Sequence, residues 1–151
     1  APAHEVEIQG AIAEVHRTSH IGGHRFAATC IVYPQGIWYG ELRPEDASRL
    51  VEEHLLNERL LPDHYRGRLG TSTCQQVAEA EAARILIGTY PEYESLSVEV
   101  QKDEAGREAS AVARAVVPGP IGYMTVRAEW TLSCPLIWWT ADDEPLFIAE
   151  R

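Results

Sequence analysis

The chain has 151 residues and a mass of 16.8 kDa, enough for one domain, or one with a sizeable extension. Its 45% hydrophobic and 24% charged residues are ordinary for a globular protein, and no apolar run reaches the roughly 18 residues a membrane-spanning helix needs. With 23 acidic against 13 basic side chains, a formal charge of -10 and Lys102 as the single lysine, it lacks the clustered cations of a duplex-binding surface; neither nucleic acid nor membrane is expected as a partner.

Glu5-Val6-Glu7-Ile8-Gln9 alternates and predicts a short strand, while Ala11 to Val15 reads equally as strand or helix. Ser19 to His24 is a loop, since adjacent glycines each cost a helix about 1 kcal/mol relative to alanine. Phe26 to Tyr33 is a short apolar run with β-branched residues, Pro34-Gln35-Gly36 a turn, and Ile37 to Leu42 a second strand: an antiparallel hairpin. Arg43-Pro44-Glu45-Asp46 opens a helix in which Ala47, Leu50, Val51, His54 and Leu55 recur at helical spacing. A second helix is predicted from about Thr73 to Ile87, with Val77, Ala80, Ala83 or Arg84, and Leu86 or Ile87 buried, and Gly88 as its stop. Leu96–Val100, Ala111–Val117 and Met124–Leu132 alternate and predict a three-strand meander with one wet face. Trp138, Trp139 and Phe147 then surround Asp142-Asp143-Glu144-Pro145 in a tail suited to wrapping another surface.

The sharpest local feature is Ser19-His20-Ile21-Gly22-Gly23-His24-Arg25-Phe26. Imidazoles four residues apart commonly share a metal on a helix; here the glycines argue for a tightly curled loop that brings both rings to one ion or cluster. Alone the spacing is weak, and two surface or core histidines are the plainer reading. The remaining candidates have bland readings too. Cys30 is a small buried hydrophobe mid-strand, Cys74 near a helix start is the most reactive thiol, and Cys134 before Pro135 is structural. Three widely spaced cysteines make no disulfide framework, and the first ten residues lack the basic start and apolar middle of a secretory signal; a cytoplasmic location is expected. His16 reads as partly exposed, His54 as a packing histidine, His64 as a solvated loop residue, and Arg25 as a loop-end cation or a modulator of site charge. Trp38 and Tyr39 read as hairpin packing, and Asp142-Asp143-Glu144 as a solvated turn without the spacing of a calcium loop.

From Val15 the chain reads VHRTSHIGGHRFAATCIVYPQGIWYGELRPEDASRLVEEH, then LPDHYRGRLG and the alanine-rich QQVAEAEAAR. Loop, hairpin, helix start and R-G-R-x-G over residues 15–88 together resemble the sucrase/ferredoxin-like family, which includes thioredoxin-like [2Fe-2S] ferredoxins. The resemblance implies an α/β fold, the C-terminal half of a thioredoxin-like domain over residues 1–88; the predicted meander makes residues 89–151 an antiparallel β extension with a Trp-rich tail. The resemblance also implies that His20 and His24 coordinate one iron of a [2Fe-2S] cluster, the imidazoles making the site less negative than four thiolates and raising its potential.

The family's two cysteine ligands lie upstream of the histidine loop, and no cysteine precedes His20 here. The expectation is therefore electron transfer as one component of a redox protein. A companion polypeptide, or a missing N-terminal half, completes the fold and supplies the cysteines, and a redox partner protein exchanges the electron. An independent catalyst is not expected. The alternatives are a non-catalytic subunit that has kept the fold and lost the cluster, and a single Zn or Fe ion on the histidines.

Overall fold

The computed structural model describes residues 4–8, 11–19, 21–102, 108–133, 138–139 and 145–146. Helices and antiparallel sheets are mixed, as expected. Strands β1 (His4–Ile8) and β2 (Ala11–Val15) form a hairpin, which settles the ambiguous Ala11–Val15 as strand. The second sheet has the order β3–β4–β5, built from β3 (Cys30–Val32), β4 (Ile37–Tyr39) and β5 (Tyr65–Arg68), all antiparallel. The predicted β-hairpin is thus present but shorter than its apolar run, because Phe26 belongs to a 3-10 turn (His24–Phe26). Its third strand was missed: Tyr65-Arg66-Gly67-Arg68 reads as a polar loop, yet Tyr65 and Gly67 are buried and alternate with half-exposed arginines.

Helix α1 (Asp46–Arg49) begins where proline and acids placed it, and the Asp46 carboxylate accepts the Arg43 backbone N–H at 2.8 Å. Its continuation, Leu50–Leu56, widens into π-helical turns that carry Val51 and His54 into the core and leave Ala47 exposed. Helix α2 (Thr73–Thr89) starts on a capping box in which the Ser72 hydroxyl accepts from the Gln75 N–H while the Gln75 side chain accepts from the Ser72 N–H. Gly88 lies inside this helix rather than stopping it. The buried face also differs from the predicted stripe, comprising Cys74, Ala78, Glu79, Ala82, Ala83, Leu86 and Ile87. A single stripe suits a helix with one buried face, whereas α2 packs against both β5 and the C-terminal sheet.

That sheet is the predicted meander, β6 (Ser95–Lys102), β7 (Glu108–Gly119) and β8 (Gly122–Ser133). Ala109, Ala111, Ala113 and Ala115 of β7 are at most 2% exposed and face Ala78 and Ala82 of α2. Small residues on both sides let helix and sheet approach closely. Leu96, Val98, Val126, Ala128 and Trp130 flank them, and the opposite face carries Glu99, Arg114 and Arg127 into solvent. Strands β9 (Trp138–Trp139) and β10 (Pro145–Leu146) pair further on; Cys134, Asp142-Asp143-Glu144, Phe147 and the tryptophan side chains of the tail lie outside the described residues.

Candidate functional site

The histidine loop runs from β2 to β3 and rests on Trp38 of β4. Gly22 and Gly23 have φ of +83° and +67°, the left-handed region where side chains are strained. A Cβ on Gly23 would stand 3.0 Å from the Trp38 ring, and one on Gly22 3.4 Å. Bare backbone therefore sits directly on the indole. The Phe26 N–H closes the turn on the Gly23 carbonyl at 2.7 Å, and the Phe26 carbonyl accepts from the Glu41 N–H at 2.6 Å, tying the loop to the end of β4. Arg66 lies over the Phe26 ring at 5.1 Å and pairs with Glu41 at 2.7 Å, adding a cation–π contact.

Of the two predicted ligands, His20 lies outside the described residues, and His24 is described only as the first backbone position of the 3-10 turn. Arg25 is exposed, and His16 is exposed beside Glu14 at 3.2 Å, as its plain reading had it. Among the described residues no group of three or more histidine, cysteine or acidic side chains could hold a metal. The tightly curled glycine turn fits the requirement that two nearby histidines reach one centre.

A cleft of about 1230 Å³ opens beside the loop. Ser19, Ile21 and Gly22 line one part of it, Cys30 and Ile31 another, and Leu50 and Leu55 a third. Cys30 is a free thiol whose pKa burial pushes up, so it is held protonated at neutral pH. Cys74 corrects two expectations: it is 6% exposed and disulfide-bonded, so it is neither the reactive thiol nor consistent with three unpaired cysteines.

Behind β4 lies a buried polar column that composition could not reveal. The Tyr39 hydroxyl and His54 Nδ1 share a hydrogen bond of 2.7 Å, with both side chains buried. Desolvation lowers the His54 pKa, with Glu58 opposing weakly, and burial raises that of Tyr39. Burial thus favours the neutral imidazole. His54 is the packing histidine expected. Tyr39 also touches Tyr65, whose hydroxyl donates to Glu79 Oε1 at 2.6 Å. Arg68 Nε reaches the same oxygen at 2.5 Å, and its other arm donates to the Val98 carbonyl of β6. Glu79 is fully buried, a feature missed because its neighbours on α2 are alanine and glutamate. His64 is not a solvated loop residue either: its side chain is 14% exposed, with Nδ1 3.1 Å from the Gly40 carbonyl and Nε2 3.5 Å from Asp46.

Three comparisons bear on identity. Altered inheritance of mitochondria protein 32 from Debaryomyces hansenii is 33% identical over 66 residues, covering 40% of this chain and 24% of that protein. The protein of the same name from Clavispora lusitaniae is 34% identical over 58 residues, 36% of this chain and 21% of that protein. A protein named Ferredoxin, 2Fe-2S from Aquifex aeolicus is 56% identical over 25 residues, 17% of this chain and 22% of that protein. The chain therefore spans about a quarter of the length of the curated relatives it matches. No solved structure matches it. No helix among the described residues is long and apolar enough to cross a membrane. Residues 3–67, from β1 to the middle of β5 and including the histidine loop and its Trp38 seat, match the sucrase/ferredoxin-like family.

Proposed function

We propose that this chain is the histidine-bearing component of an electron-transfer protein, in which His20 and His24 hold one iron of a [2Fe-2S] cluster. Cysteines from a companion polypeptide, or from a part of the protein outside this chain, hold the other iron. The match of residues 3–67 to the sucrase/ferredoxin-like family and the short match to a protein named as a 2Fe-2S ferredoxin support the reading. The observation that carries it is the glycine turn seated on Trp38, whose Gly22 and Gly23 lie in sequence between His20 and His24. A β3–β4 hairpin followed by helices also supports reading residues 1–88 as the second half of a thioredoxin-like domain. Bound there, the cluster would supply a one-electron redox couple. The chain's part is to hold the two imidazoles in position, and a ring nitrogen not bound to iron would exchange a proton as the charge of the site changes.

The test is the purified assembly, this chain with its companion. It should absorb in the visible and contain about two irons and two sulfides per site. His20→Cys and His24→Cys should each retain a cluster, lower its potential by adding negative charge, and weaken the dependence of potential on pH. A colourless, metal-free assembly would establish the structural-subunit reading instead, and stoichiometric zinc the single-ion reading.

A further inference from the structure

We infer that the free edge of β3 is where polypeptide from outside this chain adds a strand, and that this strand delivers side chains beside the histidine loop. The inference rests on the shared-site reading above, but its geometry is independent of any cluster.

Among the described residues β3 pairs only with β4, so it stands at the end of its sheet. In an antiparallel pair every second residue turns both its N–H and its C=O to the far side, and an unpaired row of such groups templates another strand. The cleft identifies that far side. Cys30, Ile31 and Val32 all line it, although successive side chains of a strand point to opposite faces. A space touching all three opens on the strand's edge rather than on one face.

The dimensions and chemistry fit an extended chain. At about 1230 Å³ the cleft exceeds the roughly 300–1,000 Å³ of ordinary small-molecule pockets. The end of β2 forms its opposite wall, and Leu50, Val51 and Leu55 give it an apolar side. Val15 and Tyr33, two other lining residues, are 45% and 68% exposed, apolar surface that an incoming segment would cover. Relatives have polypeptide beyond the matched stretch: it is 24% of the Debaryomyces protein, leaving about three quarters of that chain outside it.

Register then says what the strand brings. Cys30 and Val32 pair across from Tyr39 and Ile37, the face that packs on the core and on Leu50. Ile31 pairs with Trp38, the face on which the Gly22–Gly23 turn rests. A strand added about 4.8 Å beyond β3 continues both faces. Its alternate side chains enter the apolar side by Leu50 and Leu55, and the intervening ones come up beside the histidine turn. The occupant is therefore an extended polypeptide, apolar at every second position, able to present a thiol at one of the positions between.

The test uses the chain as it stands and a short synthetic peptide of alternating threonine and valine, together with its N-methylated counterpart. The plain peptide should slow amide exchange within Cys30–Val32 about tenfold, and the N-methylated peptide, which cannot complete the ladder, should not. In a second series an activated disulfide is moved one position at a time along the peptide. Cys30 should be captured at every second position only. Unchanged exchange in β3, protection confined to β6 or β8, or capture without alternation would overturn the inference. So would protection of β3 that rises with protein concentration and no peptide, which would assign the edge to a second copy. Substituting His20 or His24 should leave peptide protection unaltered. A cluster-free assembly with a protected β3 would thus sink the proposed function and spare the docking edge.

Discussion

Removing Arg68 should destabilise the fold more than removing the buried acid it serves. Glu79 is 1% exposed by side chain and Arg68 40%, and the two meet at 2.5 Å. In Arg68→Met the carboxylate keeps only the Tyr65 hydroxyl, while its second oxygen already lacks a hydrogen-bond partner among the described residues. An uncompensated buried charge of this kind costs about 3–5 kcal/mol. In Glu79→Met the guanidinium can turn to water, so the loss is mainly the orphaned Tyr65 hydroxyl, about 1–3 kcal/mol, partly offset by apolar packing at similar volume and helix propensity. The double variant should resemble Glu79→Met alone, giving a coupling as large as the Arg68→Met cost, about 3–5 kcal/mol, and restoring part of the stability lost in Arg68→Met. Urea denaturation of the four proteins, read by far-ultraviolet circular dichroism, measures each term. An Arg68→Met cost no larger than that of Glu79→Met, or strictly additive losses, would refute the account of the pair.

Two further outcomes follow from the site. Because burial lowers the His54 pKa from 6.5, the unfolded chain takes up the proton first; stability should fall as pH drops below about 6.5 and continue falling until the folded-state pKa is passed. His54→Gln, which can still hydrogen-bond to Tyr39, should flatten that decline relative to the parent, and superimposable thermal-unfolding profiles would rule the linkage out. Gly23→Ala should cost about 1–2 kcal/mol for the left-handed backbone, plus whatever displacement of Trp38 the 3.0 Å approach demands; an unchanged urea midpoint would show that the turn is not seated as described.

The meander was legible because one of its faces is wet. Leu96, Val98 and Val100 alternate with Ser97 and Glu99, and the pattern survives intact along β7 and β8. Strand β5 was not legible, since a polar-looking Tyr-Arg-Gly-Arg hides its alternation: Tyr65 is an apolar body with a hydroxyl satisfied by Glu79, and the arginines face outward. Helix α2 was placed to within two residues of its end, but its buried surface was misread, because sequence periodicity cannot report that a helix is covered on two sides. The histidine loop stood out through its glycines, and their positive φ is the physical reason. Its Trp38 seat and the cleft were invisible, for both depend on contacts between segments distant in sequence.

Position explains why the loop needs such a seat. Two histidines on an irregular segment hold a fixed separation only if the backbone between them is immobilised, and glycine, which frees the backbone to curl, also raises the entropy of leaving that shape. Trp38 counters this by occupying the space that side chains at Gly22 and Gly23 would take, and Phe26 by bonding the far end of the loop to Glu41. The next residue along β4, Tyr39, points to the opposite face and is fixed by His54 and Tyr65, which leads on to Glu79, Arg68 and the Val98 carbonyl of β6. One strand of three residues thus carries the loop on one face and a buried polar anchor on the other. The anchor ends in the sheet whose alanines clasp α2, so the meander braces the strand on which the glycine turn rests. Under the function proposed above, such rigidity would keep the reorganisation between charge states small, because a ligand frame that does not relax needs little rearrangement.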